Sequence, residues 1–257
     1  MVELSPIRRD APWAWLKAGW QDLKRAPLVS IGYGLVFALI GTMIVAGLAA
    51  IHMASAAPVA LAGFALIAPV FAIGVYRISE MIDAGETPRL LDFWRISGSR
   101  LSQLALLSVL LLIFFLTWAR MAQFLYVALA PAEIMSLSDF FAFAINSPKG
   151  LALMGFGTLI GFGLAVVAFS VSAISFPMLV DQDVDAITAL VASVKAVIKN
   201  PFVMLTWAWL IAFMTIVGIA FFLVGLAVTF PWIAHASWRA YKDFAPRPEP
   251  SASAIKA

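Results

Sequence analysis

Near the end of the chain, in GLAVTFPWIAHASWRAYKDF from Gly225 to Phe244, His235, Trp238 and Arg239 fall at i, i+3 and i+4. On a helix these side chains share one face, and an arginine beside an aromatic ring can grip a phosphate or a carboxylate through two parallel hydrogen bonds. The interfacial anchor of a membrane helix uses the same residue types, so this face has two readings, anchor and binding site. A second chemical cluster, Asp181, Asp183 and Asp185, comes just before AITALVASVK. Three carboxylates at that spacing suit a metal ion or a proton. They suit equally well a helix N-cap, where acids meet the positive end of the dipole. A sharper expectation is that these acids pair with Arg239 or with Arg77, which stands at the same offset from Pro69 as Arg239 does from Pro231.

The remaining chemistry is mostly refused. The chain has no cysteine, which removes disulfides, thiolate metal sites and cysteine nucleophiles. Its two histidines, His52 and His235, are expected about a bilayer thickness apart and cannot share one metal or haem. The glycines of GFGTLIGFG lack the G-x-G-x-x-G spacing of a nucleotide loop, while Gly157 and Gly161 form a GxxxG face for close helix packing. Neither G-x-S-x-G nor H-E-x-x-H occurs. Arg120 follows Trp118-Ala119 and can snorkel to an interface. The pattern therefore predicts no enzyme, no cofactor and no metal.

The elements that must carry these residues are set by composition. Of 257 residues 63% are hydrophobic and 12% charged, against about 25% charged in soluble chains, so the chain is expected to be an integral membrane protein. The first residues carry charges throughout and no apolar core of a cleavable signal follows them. Apolar runs place spans near Leu28 to Ile51, Val59 to Tyr76, Leu101 to Ala119 and Gly150 to Val180. Asn200 to Trp238 holds 39 uncharged residues, about 58 Å as helix and hence two crossings. The expected fold is an all-α polytopic membrane bundle of six transmembrane helices in three hairpins. A cytoplasmic segment, 1–27, precedes the 28–243 membrane domain, and a disordered cytoplasmic tail, 244–257, follows it. Six spans put 15 basic residues on one side and leave Arg120 and Lys149 on the other. That bias places both termini in the cytoplasm, in the inner membrane.

Two cytoplasmic segments are amphipathic and are expected to lie along the membrane surface: Trp13, Leu16, Trp20 and Leu23 share one face, as do Ile187, Leu190, Val191, Val194 and Ile198. Each leads into an apolar hairpin, and WQDLKRAPLVSIGYG, WRISGSRLSQLALLS and VKAVIKNPFVMLTWA read as three related units. Pro69, Pro177 and Pro231 occupy corresponding places in the second helix of each.

GWQDLKRAP, FPMLVDQDVDAITALVASVKAVIKNP and the order Pro231, His235, Trp238-Arg239, Tyr241 resemble an uncharacterised bacterial family of predicted integral membrane proteins. Some of its members are labelled cytochrome c oxidase subunit I. The resemblance runs from Trp13 to Asp243 and implies a membrane fold and location without a reaction. Two histidines cannot supply the imidazole ligands of a haem-copper oxidase core, so the oxidase label does not fit catalysis in this chain. The expected function is a non-catalytic scaffold or accessory protein acting through the lipid bilayer, anionic lipid and a membrane-protein partner. The alternative is a small-solute transporter or channel. Nucleic acid is not expected as a partner, because the basic residues flank apolar segments.

Overall fold

The computed structural model describes residues 7–89, 96–131 and 135–245, and every regular element among them is helical. Helix α1 (Ala11–Arg25) begins with a proline in its first turn, where a missing N–H costs nothing. It ends at Ala26 (φ −132°, ψ 58°), and Pro27 opens α2 (Pro27–Ala50). A 3₁₀ turn (Ala54–Ala56) leads into α3 (Ala57–Leu66) and α4 (Ala68–Asp83), which meet at Ile67 with a bend of 46°. Then come α5 (Gly98–Leu129), α6 (Leu137–Asn146), α7 (Pro148–Ser172) and α8 (Ser175–Asp181). Helix α9 (Ala186–Lys199) ends at Asn200 with φ −128° and ψ 54°, nearly the backbone of Ala26, and Pro201 opens α10 (Pro201–Ala220). The chain closes with α11 (Leu226–Phe244), which contains Pro231. The matched junctions α1–α2 and α9–α10 are the clearest structural echo of the repeat read from the sequence.

The break between α7 and α8 has a local cause. Pro177 has no N–H to offer the carbonyl four residues earlier. Just before it, the Ser193 hydroxyl of α9 inserts into the ladder, donating to the Ser170 carbonyl (2.8 Å) and accepting from the Ile174 N–H (3.1 Å). A side chain entering the i to i−4 pattern is a standard origin of a helix break. In a membrane it also satisfies polar groups that lipid cannot.

Among the described residues, α2, α5, α7 together with α8, and α10 are long and apolar enough to cross a membrane, and the bent pair α3–α4 makes a fifth candidate. Helix α11, the sixth in the hairpin scheme, is not among them, because its second half carries Arg239, Lys242 and Asp243. Helices α4, α8 and α11 pack together, with α1 and α2 against α11 and α5 along α7. Large apolar side chains such as Leu112, Phe124, Leu159 and Phe162 stay exposed on the outer faces, as lipid contact requires.

The surface segments differ from the sequence reading. Of the expected α1 face, Leu16 and Leu23 are buried but Trp13 and Trp20 are exposed. The buried side instead centres on Trp15, Gly19 and Asp22, because Gly19 lets the helix approach the Ala236 backbone closely. In α9 the small residues Ala189, Ser193 and Ala196 face inward, and Ile187, Val191 and Ile198 face outward. Tail residues 246–257 and the basic residues Arg95, Arg247 and Lys256 lie outside the described residues.

Candidate functional site

The polar side chains of α11 form a ladder along one helix. His235, Arg239 and Asp243 follow at four-residue steps, which stack them on one face. The top rung is fully buried: the Ser30 hydroxyl of α2 lies 2.9 Å from His235 Nε2, and the Ser79 hydroxyl of α4 lies 2.7 Å from Nδ1. Ser79 also donates to the Val75 carbonyl (3.2 Å). The geometry accommodates a neutral ring in which Ser79, its own proton given to Val75, accepts from Nδ1–H, and Nε2 accepts from Ser30. This assignment leaves one neutral imidazole with both nitrogens satisfied. Neither is free to ligate a metal, and among the described residues no three His, Asp or Glu side chains converge as a metal site.

One turn further on, Arg239 bridges two carboxylates. Its Nε donates to Asp22 Oδ2 of α1 (2.5 Å) and its Nη1 lies 2.7 Å from Asp83 Oδ1 of α4. Asp22 is almost fully buried and also meets Arg25 at 3.3 Å, while Asp83 accepts from Trp238 Nε1 at 2.8 Å. On the third rung Trp15 of α1 donates to Asp243 (2.6 Å). A side branch reaches α8: Tyr241 donates to Asp181 (2.5 Å), Gln182 donates to Tyr241 (2.8 Å), and Lys242 approaches Asp181 at 3.3 Å. Arg77 pairs within its own helix with Glu80 (2.5 Å). Arg100 of α5 lies 3.6 Å from the other oxygen of Glu80 and donates to the Val180 carbonyl (2.6 Å) near the end of α8.

The structure thus gathers His235, Trp238 and Arg239 on one helix, but with partners other than those expected. The acids that meet Arg239 are Asp22 and Asp83, and Arg77 takes Glu80, so neither arginine pairs with the Asp181 to Asp185 cluster. The physical reason is reach. Arg239 points towards α1 and α4, and Asp181 lies on the other side of α11, where Tyr241 and Lys242 meet it. Asp185 caps α9: the Thr188 hydroxyl (2.6 Å) and N–H (2.8 Å) both bind its carboxylate and hold its pKa below the ordinary carboxylate value. Asp183 is exposed with only a long contact from Ser99 (3.5 Å), and His52 is exposed in the turn after α2. The GxxxG face is half used: Gly161 packs against the Trp118 ring, whereas Gly157 has nothing within 4 Å of its missing side chain.

Residues that the sequence reading passed over include Ser30, Ser79, Glu80, Asp83 and Asp22. One signal was available, because Ser79 and Asp83 are four residues apart, like His235 and Arg239, and the two pairs form matching rungs.

Above the ladder the interior is aromatic. Phe37, about 10 Å further along α2 than Ser30, stacks on Phe230 (3.8 Å between centroids) and on Phe64 (4.6 Å). Phe71 closes the group edge-on to Phe37 at 5.6 Å.

The stretch that carries Ser79, Glu80, Asp83 and Asp181 is also the part of the chain that is similar to a known family. Residues 56–181 match the family described as Predicted integral membrane protein (DUF2189). No curated protein and no solved structure matches the chain. The DUF2189 match runs from the end of the 3₁₀ turn through α8, so it includes the acids of α4 and α8. The basic and imidazole side chains of α11, and Asp22 and Ser30 that meet them, lie beyond it. The description agrees with the several apolar helices of the fold: the chain is an integral membrane protein.

Proposed function

We propose that this protein is a non-catalytic membrane scaffold or accessory protein, whose polar ladder locks five helices into a rigid unit that presents apolar faces to lipid and to helix partners. The observation that carries this reading is the stacked phenylalanine group, Phe37, Phe64, Phe71 and Phe230, directly above the closed ladder. Halfway along α2 the interior holds aromatic rings, and below them His235, Arg239 and Asp243 each meet polar side chains of neighbouring helices. A transport path needs polar lining at that depth. The ladder also leaves no nucleophile or general base exposed for catalysis.

The transporter reading draws support from the discontinuous helices, the 46° break between α3 and α4 at Ile67, the break between α7 and α8, and Pro231 inside α11, since such helices are common at transport sites. The reading includes six spans with both termini cytoplasmic in the inner membrane, because only then do the basic residues collect on one side. Single cysteines scanned along Phe64 to Phe71 and Phe162 to Phe169 decide between the two roles. The scaffold predicts no labelling by a water-soluble thiol reagent. Periodic labelling that a small solute suppresses would reverse the assignment.

A further inference from the structure

The four lysines of α1 and α9 have no role in the ladder. Lys17, Lys24, Lys195 and Lys199 are exposed, and none makes an ion pair or hydrogen bond among the described residues. Of the nearby acids Asp22 is held by Arg239 and Arg25, Asp181 by Tyr241 and Lys242, and Asp185 by the cap of its own helix, while the exposed Asp183 stands at the opposite end of α9 from Lys195 and Lys199. What remains on the outside of these two helices is positive charge without its complement.

The lysines do not stand alone. On α1 they interleave with Trp13 (58% exposed) and Trp20 (36% exposed) at steps of four, three and four residues, so the four side chains form one outward stripe. Trp20 also packs on Trp232, 4.7 Å between ring centroids, whose N–H binds the Leu16 carbonyl. On α9 the outward stripe is Ile187, Val191 and Ile198, with Lys195 and Lys199 beside it. Both helices turn into candidate spans through the same backbone geometry, at Ala26 and Asn200, so the two stripes sit at the mouths of α2 and α10. Apolar and indole side chains beside unpaired lysines, at the end of a spanning helix, match the boundary between acyl chains and headgroups. Lysine stems lie along apolar surface while the ammonium groups reach the phosphate level.

We propose that α1 and α9 form a seat for anionic lipid headgroups, with Lys17, Lys24, Lys195 and Lys199 contacting phosphate and the tryptophans and isoleucines entering the acyl boundary. This goes beyond the scaffold reading and rests on the membrane topology given with it, which thiol labelling tests separately. Charge complementarity selects the occupant: a zwitterionic headgroup brings its own cation to the phosphate, and an anionic one does not.

The test uses the full chain, purified in mild detergent and equilibrated with mixed phosphatidylglycerol and phosphatidylcholine. Bound lipid is then counted by native mass spectrometry. The parent retains phosphatidylglycerol several-fold above its share of the mixture, and less so in high salt. The variant Lys17→Gln, Lys24→Gln, Lys195→Gln, Lys199→Gln falls back to the share in the mixture, a loss of about fivefold or more. The variant Arg120→Gln, Lys149→Gln, at the two basic residues that the six-span topology assigns to the opposite face, keeps the preference. Gel filtration of each variant shows that the fold is retained, and Lys→Arg at the four positions restores binding if the contact is electrostatic. Equal enrichment in the parent and the fourfold glutamine variant overturns the proposal. So does a parent without any preference. If the variant instead loses an acidic protein that co-purifies with the parent, while lipid retention stays unchanged, the surface serves a protein partner and the lipid seat is wrong.

Discussion

At the scale of single residues, the arrangement turns on Arg239. Its side chain is about a fifth exposed and divides its donors between Asp22, which is 2% exposed, and Asp83. A guanidinium can send Nε and Nη1 in two fixed directions at once, while an ammonium is a single point that cannot span both acids at good geometry. Arg239→Lys is therefore expected to lower the thermal midpoint although it keeps the charge. Asp22→Ala should cost more, about 3 kcal/mol, because it leaves a largely buried cation short of one partner. Replacing both, as Asp22→Ala with Arg239→Met, should recover part of that loss, since no charge is then stranded. If Arg239→Lys melts with the parent in detergent, the bridge contributes nothing and Arg239 is only an interfacial anchor. The shared face of His235, Trp238 and Arg239 could be read from helical spacing. Their partners could not, because Asp22, Ser79 and Asp83 come from helices far away in sequence and spacing carries no distances between helices. Asp22 was further hidden by its setting among exposed charges, where only its alignment with Trp15 and Gly19 marks the buried side.

At the scale of elements, the contact between α2 and α11 depends on a matched defect and gap. Pro231 cannot donate to the Ala227 carbonyl, so that oxygen is left without its helical partner. The freed carbonyl faces Gly34 on α2, where a side chain would collide with it and would come within 2.8 Å of Pro231 Cδ. Glycine at this position lets the two backbones approach closely, the packing mode that holds helices together in lipid. Gly34→Ala should push the helices apart and cost about 1–3 kcal/mol, as overpacking usually does. Gly157→Ala is the matched control, since nothing lies near its missing side chain, and it should melt with the parent or slightly above it. Equal midpoints for the two variants would show that the close approach at Gly34 adds nothing. The long apolar run fixed the extent of α2 to within a residue of the expected span, and the last apolar run was expected to begin at Asn200, one residue before α10. The bend at Ile67 has its mark in Pro69, the second residue of α4, whereas hydropathy alone does not register a change of direction.

At the scale of the whole molecule, charge and depth have to agree. Arg8, Lys24 and Arg25 at the start, Arg77 and Arg100 in the middle, and Arg239 and Lys242 at the end belong to segments that the positive-inside bias assigns to one face. In the structure that assignment acquires a mechanical counterpart, because Asp22, Asp83 and Arg239 tie α1, α4 and α11 together and must therefore lie at one level. Arg120 instead stands near the far end of α5, bonded to Gln123 at 2.9 Å, with the N-cap Ser136 of α6 beyond it. A cysteine placed at Ser136 should accordingly react with a membrane-impermeant thiol reagent in intact cells, and one at Ser253 should react only after the membrane is opened. The native chain has no cysteine to confuse the readout. Should Ser253→Cys label from outside while Ser136→Cys also labels, α11 does not return the chain to the cytoplasm, and the count of spans is five. With five spans the basic split falls to 11 against 6. Five spans would also set α11 on the opposite face from α1, so that labelling result would conflict with the 2.5 Å contact between Arg239 and Asp22. The labelling result therefore tests the ladder and the topology together.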